Sequence, residues 1–350
     1  MTRPILSPAP AIARPSALRT AADRMSAAVY RRFGGPDVVQ IMDVAKPEPA
    51  AGEILIKVVT STVSAADHRS RSRHVPAGLL LPSSLVLGFF RPRRPVLGMD
   101  AAGVVVAVGA HVERFAPGDE VLAMLGSRFG GHAEYAIAAE TDAVAFKPRS
   151  MGFEEAVSVV FGGITARGYL NQITIADGAT VLVNGASGAV GTAMVQLAKA
   201  AGAHVTGVSS NAALVTSLGA DRTIDYRSHD FAEDGSTYDV IVDCVGNAPV
   251  ARVRNSLNPG GAMLLVAADL RSILTARGHA RRHGISVITS PGRYRSEDLE
   301  YIIDLAEEGA FHPTIDRIFP FDQISAAHRF VDGGRKRGSV VLRVAATHQA

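Results

Sequence analysis

The chain has 350 residues, 47% hydrophobic and 20% charged, enough for two domains with separate cores. A net charge of +3, from 36 basic and 33 acidic residues, is too small to argue for a nucleic-acid partner. The single cysteine, Cys244, excludes an intrachain disulfide and a cysteine-rich zinc site, and nothing calls for an oxidising compartment.

Residues 1–24 mix Pro, Ala, Ser and Arg without periodicity or a continuous apolar core. They read as a disordered tail outside the fold, not as a signal peptide. Residues 26–63 alternate short apolar runs with turns at Gly34-Gly35-Pro36 and around Pro47, Pro49 and Gly52. A second β-rich stretch opens at Pro95 and carries turns at Pro117-Gly118-Asp119 and Gly130-Gly131. Short strands with such turns predict a small distorted barrel. Residues 73–94 read as an insertion. Leu79-Leu80-Leu81, Leu85-Val86-Leu87 and Phe89-Phe90 are cut by Pro82 and Gly88 and followed by Arg91, Arg93 and Arg94. This run is too short and broken to cross a bilayer, and no integral membrane segment is expected. It reads as a lid over an apolar pocket, with membrane-surface contact through its basic flank as the alternative.

From about residue 150 the pattern changes to α/β alternation. A helix is predicted over residues 153–170, containing Gly162-Gly163-Ile164-Thr165. Val181-Leu182-Val183 reads as a buried strand, and Val190, Met194, Leu197 and Ala201 as one face of the helix after it. Residues 204–208 read as a second strand. Between strand and helix lies Ala186-Ser187-Gly188-Ala189-Val190-Gly191, the A-x-G-x-x-G form of a dinucleotide-binding turn. Gly188 lets the backbone approach a pyrophosphate, Gly191 lets the helix pack on the strand, and the helix N-terminus offers free N–H groups. The acid that would bond a ribose 2′-hydroxyl is absent. Ser209-Ser210-Asn211 stand there instead, able to donate to a 2′-phosphate. This favours NADPH, with NADH left open. Further strands are predicted at residues 222–226, 238–245, 262–267 and 285–289. Val245, Gly246, Val266 and Ala267 sit at the carboxyl ends, where a cofactor crevice lies. Residues 296–308 read as an amphipathic helix capped by Ser296, and residues 312–319 and 340–344 as returning strands.

These stretches, in this order, resemble a known family. They are Ala28-Val29-Tyr30, Gly52-Glu53-Ile54-Leu55-Ile56-Lys57-Val58, Val96-Leu97-Gly98-Met99-Asp100, Pro117-Gly118-Asp119-Glu120-Val121, Gly130-Gly131-His132-Ala133-Glu134-Tyr135 and the Ala186 to Gly191 turn. Together they are similar to the medium-chain dehydrogenase/reductases, and within them to the zinc-independent quinone oxidoreductases that include zeta-crystallin. The resemblance implies an α/β protein: a GroES-like distorted β-barrel catalytic domain (residues 25–147 and 292–350) plus a Rossmann doubly wound parallel-sheet domain (148–291). It also implies a homodimer, and with a lone cysteine a cytoplasmic location is expected. It places Thr165 beside the nicotinamide, Tyr226 at the 2′-phosphate, and Arg337, in the turn Lys336-Arg337-Gly338-Ser339, near the cofactor. Zinc-dependent relatives carry Cys and His where this chain has Ser64-Ala65-Ala66-Asp67 and Gly98-Met99-Asp100, so no catalytic metal is expected. Asp67, His68 and Asp100 are the residues that could approach one. Quinone reductases of the branch place Asn near the substrate carbonyl. Ser64 takes that position and can donate a hydrogen bond. His68 can supply a proton near neutral pH or simply pair on its helix face, and Arg71 reads as an ion-pair partner. The expected reaction is zinc-independent reduction of a small apolar quinone or α,β-unsaturated carbonyl by NADPH. The alternatives are an NAD(P)-dependent alcohol dehydrogenase-like enzyme and a nucleotide-sensing or RNA-binding protein.

Overall fold

The computed structural model describes residues 23–345. Most of the tail expected at residues 1–24 lies outside them. The first strand, β1 (Arg24–Tyr30), starts inside that expected tail: Arg24 pairs with Ala45, and its guanidinium is bonded to Asp43. β1 and β2 (Val39–Ala45) form an antiparallel pair. Next come β3 (Glu53–Thr62), α1 (Ala65–Ser72), α2 (Leu80–Leu87), β4 (Asp100–Val108), β5 (Glu120–Met124), β6 (Tyr135–Ala139) and β7 (Ala143–Phe146). The chain then runs through α3 (Phe153–Leu170), β8 (Thr180–Asn184), α4 (Ala189–Ala200), β9 (His204–Val208), α5 (Ala212–Ser217), β10 (Arg222–Ile224) and β11 (Tyr238–Asp243). It continues with α6 (Val250–Val253), β12 (Leu257–Leu265), α7 (Leu270–His283), β13 (Ser286–Ile288) and α8 (Ser296–Glu307), and finishes with β14 (Ile315–Pro320), α9 (Ile324–Asp332) and β15 (Ser339–Arg343).

Two larger sheets result. One runs β14-β15-β3-β4-β5-β7, with β6 also on β3. β3 pairs with three neighbours, so Ile54, Ile56 and Val58 are fully buried. The other sheet is parallel, in the order β10-β9-β8-β11-β12-β13. Counted from β8 this is 3-2-1-4-5-6, the dinucleotide-binding order, whose switch point falls between β8 and β11. Val181, Leu182 and Val183 are buried because helices cover both faces of such a sheet.

α3 is buried along almost its whole length and touches both sheets. Thr60 Oγ1 donates to Phe153 O (2.9 Å) and Ser339 Oγ to Ser158 O (2.8 Å), while Tyr169 Oη donates to Leu265 O (3.1 Å) at the end of β12. A helix apolar on all sides is one that both neighbours cover.

Three local features differ from, or add to, the sequence expectations. The N-cap of α8 is Arg295, and the Ser296 hydroxyl instead donates to Asp142 O (3.1 Å). α7, which no sequence pattern announced, forms between the Asp269 side chain, which accepts from Ser272 N, and the left-handed Gly284. The insertion contains α2, whose Pro82 falls in the first turn, where the missing N–H costs no intrahelical bond. Leu81 and Leu85 of α2, and Phe90 just beyond it, are 73%, 61% and 94% exposed, while Leu87 packs on the barrel core.

Candidate active site

The glycine-rich turn lies at the switch point. Gly185 is left-handed (φ 82°), and Gly188 is the N-cap of α4 with no side chain satisfying the first N–H groups. A Cβ on Gly188 would meet only Gly185 O, at 3.6 Å, so the space over the helix N-terminus is open. A Cβ on Gly191 would lie 2.1 Å from Gly185 O, so only glycine lets α4 pack this close to β8. Open space, a bare backbone and an uncapped helix end fit the phosphates of a dinucleotide. Ser187, Ala189 and Val190 belong to the same cradle. Two further elements are pressed against it. A Cβ on Gly162 of α3 would be 2.3 Å from Ala189 O, which fixes Thr165, three residues on, relative to the turn. Gly338 N donates to Ser187 O (2.8 Å), which brings Lys336 and Arg337 alongside.

Lys336 was passed over in favour of its neighbour. It is half-buried, and burial draws its ammonium down to about 8; Nζ donates to Gly338 O (2.7 Å). Arg337 is exposed, with its backbone N–H on Asp316. A second missed residue is Asp243. Its buried carboxylate accepts from Val245 N (3.0 Å), Gly246 N (2.9 Å), Ala248 N (2.8 Å) and Asn184 Nδ2 (2.9 Å). It thereby shapes the loop that presents Val245, which is 53% exposed, beside half-buried Val266 and buried Ala267. An acid closing an apolar strand just before Cys-Val-Gly was the available signal.

On the other side of the turn, Ser209 is buried and its Oγ accepts from Asn211 N (3.0 Å), while Asn211 Oδ1 accepts from Leu214 N as the cap of α5. Those two side chains shape the loop, and Ser210 is exposed. Tyr226 is 60% exposed just past β10. Arg227 follows it, also missed, and grips Asp225, holding that carboxylate down to about 2. The loop after β10 therefore presents a guanidinium next to Tyr226. Thr165 Oγ1 lies 3.4 Å from Tyr294 Oη, a residue no motif pointed to. Burial raises the Tyr294 phenol above its ordinary range.

The barrel side differs from expectation. Ser64 Oγ donates to Asp67 Oδ2 (2.5 Å) and accepts from Asp67 N, forming the capping box of α1. The seryl proton is committed, so Ser64 is not the carbonyl donor envisaged. His68 Nδ1 is 2.5 Å from Asp332 Oδ1, and both Asp332 oxygens receive the fully buried Arg71 at 2.6 Å. This triad ties α1 to α9, so His68 is paired, with its partner on α9 and not on its own helix face. Arg71 is the ion-pair partner expected.

A metal does not fit these groups. Asp67 Oδ1 accepts from Gly98 N (2.9 Å) and Oδ2 from Ser64. Asp100 accepts from Thr62 N (2.7 Å), Thr62 Oγ1 (2.6 Å) and Ser61 Oγ (3.3 Å). Among the described residues no three His, Cys, Asp or Glu converge as ligands. The groove lined by Ala179, Asp239 and Gly261 lies at the amino ends of the parallel strands, away from the cofactor crevice.

Residues 50–149 match the model of the alcohol dehydrogenase GroES-like domain, and residues 218–342 that of the zinc-binding dehydrogenases. The chain is 32% identical over 341 residues to the 2-methylene-furan-3-one reductase of Solanum lycopersicum, covering 91% of this chain and 79% of that one. It is 31% identical over 336 residues to the chloroplastic NADPH-dependent alkenal/one oxidoreductase of Arabidopsis thaliana, with the same coverages of 91% and 79%. The solved quinone oxidoreductase of Coxiella burnetii superimposes with a TM-score of 0.81 at 27% identity, over 92% of this chain and 100% of that one. Sheet order, cradle and relatives agree: the chain belongs to the medium-chain dehydrogenase/reductase superfamily, in its quinone oxidoreductase branch, and is an NAD(P)H-dependent oxidoreductase.

Proposed function

We propose that the chain reduces quinones or α,β-unsaturated carbonyls with NADPH and without zinc, as a cytosolic homodimer. The barrel (residues 25–147 and 292–350) supplies the substrate side, and residues 148–291 the cofactor side. The observation that carries the reading is the open, uncapped glycine turn with Gly338 bonded to Ser187, which sets two basic residues beside a phosphate cradle. The names of the two plant reductases and of the Coxiella structure support the substrate class. The dimer is what the family resemblance implies, and a lone cysteine is compatible with the cytosol.

Bound NADPH supplies the hydride. The residues of the chain hold and orient. Ala186 to Gly191 take the pyrophosphate, while Tyr226, Arg227 and Ser210 meet the 2′-phosphate. Thr165 holds the carboxamide from α3. Tyr294 carries its proton at neutral pH like any phenol, and burial raises it further, so Oη can donate to a carbonyl oxygen as negative charge develops there. A conjugated carbonyl needs no Lewis acid to accept a hydride, in keeping with carboxylates already bonded within the protein.

Calorimetric titration of metal-analysed protein with NADPH and NADH, followed by turnover with a naphthoquinone and an enone, tests this. NADPH should bind at least about tenfold tighter, and Arg227→Ala should remove most of that margin, ~1.4 kcal/mol. Preference for NADH, or turnover of alcohols that a chelator abolishes, would overturn it.

A further inference from the structure

α2 is built inside out. Its one buried residue is Ser84, whose hydroxyl donates to Leu80 O and receives Arg73. Leu80, Leu81 and Leu85 face away from the core, as does Phe90 just beyond, while Leu87 at the helix end packs on the barrel core. α7 behaves alike: over Leu270–His283 only Ala276 is buried, and Leu274 is 72% exposed. The two helices spring from one junction. Leu270 N donates to Ala77 O (3.0 Å), and a Cβ on the left-handed Gly78 would lie 2.7 Å from Leu270 Cβ.

The charge around these apolar side chains has one sign. Residues 73–94 and 270–284 contain no Asp or Glu, in a chain with 33 of them. Arg91, Arg93 and Arg94 follow α2, and Arg277, Arg281 and Arg282 occupy the second half of α7. Among the described residues none of these six forms an ion pair with a carboxylate, whereas Arg71, Arg114, Arg252 and Arg329 elsewhere do. Arg93 is spent partly on α2, donating to Leu85 O (2.6 Å). Exposed leucine and phenylalanine flanked by unpaired arginine is the composition that partitions into a headgroup layer.

We propose that this face docks on a bilayer surface bearing anionic lipid. Among the described residues no helix is long and apolar enough to cross a membrane, so the contact is interfacial. A second copy is a poor occupant, because a two-fold contact between these two segments would offer their arginines no carboxylate. Residues 1–22 are no better: they carry Arg3, Arg14 and Arg19 and no acid. The inference does not rest on the reductase reading, and the vesicle-binding measurement contains neither nucleotide nor quinone.

The test is cosedimentation of the full chain with vesicles of phosphatidylcholine alone, or with about one quarter phosphatidylserine. Binding is expected only to the anionic vesicles and should weaken as salt rises. Arg91→Gln with Arg94→Gln should reduce partitioning about 25-fold, near fivefold per charge. Leu85→Ser with Phe90→Ser should reduce it about tenfold or more. Both pairs are solvent-exposed, so circular dichroism and NADPH oxidation should stay at wild-type levels. No cosedimentation, or wild-type binding by both variants, overturns the proposal. So does binding lost in the arginine pair but kept in the apolar pair, which assigns a plain polyanion. Self-association in the ultracentrifuge that Phe90→Ser abolishes assigns the face to a second copy and overturns it too.

Discussion

Gly188 and Gly191 share one turn, yet the structure constrains them oppositely. Gly188 has φ −78° and ψ 170°, a conformation open to any residue, and an added Cβ finds nothing closer than 3.6 Å. Gly188→Ala gives up a modest N-cap preference and gains from a less flexible unfolded chain, for a net change within about 0.5 kcal/mol. The new methyl stands where a pyrophosphate must approach, however, and NADPH affinity should fall about 100-fold, or ~2.7 kcal/mol. Gly191→Ala puts its methyl 2.1 Å from Gly185 O and 2.9 Å from Ala186 Cα, both main-chain atoms that no rotamer change can move. The helix must lift from β8, and overpacking of this kind costs about 1–3 kcal/mol or more. Urea unfolding without nucleotide reads the stabilities, and calorimetric titration with NADPH reads the affinities. The expected pattern is a stable protein blind to nucleotide for Gly188→Ala and a destabilised protein for Gly191→Ala. A Gly188→Ala protein that binds NADPH like the wild type would refute the phosphate cradle, whatever Gly191→Ala does.

Asp332→Ala strands the fully buried Arg71 and should cost about 3–5 kcal/mol in urea unfolding; a loss below ~1 kcal/mol contradicts the assigned pairing. The barrel core also holds two groups whose protonation opposes. Burial pushes Asp100 up to about 7, against the hydrogen bonds from Thr62 and Ser61. Burial, with repulsion from His132, Arg71 and His68, holds His328 well below its usual range. Between about pH 4 and 7 native Asp100 keeps a proton that the unfolded chain has lost, so its share of stability falls as pH rises, by up to ~1.4 kcal/mol per unit. Below about pH 6.5 the unfolded chain gives His328 a proton that the native site refuses, so its share rises with pH at the same limiting slope. The two offset each other between about pH 5 and 6.5. His328→Leu should expose the falling slope and Asp100→Asn the rising one, in denaturant titrations across that window. Flat profiles in both variants would sink the argument.

The dinucleotide half was legible because its rules are local. Val181 to Gly191 combine a buried strand, a glycine turn and a helix whose packing each demand particular residues within a few positions. The barrel half was legible as a class through its turns. The barrel-side chemistry was not. Whether the Ser64 hydroxyl is free depends on Asp67 turning back to it, and His68 finds Asp332 264 residues away. Tyr294 reaches Thr165 across 129 residues without any periodic signal. α7 escaped although Leu270, Ile273 and Leu274 lie one turn apart behind the Asp269 cap, because that stripe is short and gives way to Arg277. α2 misled because its pattern is inverted, with serine inward and leucine outward.

The position of β15 also governs the order in which the chain can fold during synthesis. It lies between β14 and β3, pairing Val341 with Thr62. When β7 leaves the ribosome, β3 has its partners β4 and β6 but lacks β15, which follows about 190 residues later, ~10–40 s of elongation. Strands β8 to β13 are contiguous, so the parallel sheet can close while that edge is still open. The segment left open is Thr60-Ser61-Thr62, whose unpaired main-chain groups on that side invite wrong pairing in the nascent chain. A stop codon just before Ser339 would leave the nucleotide sheet intact and the barrel permanently unclosed.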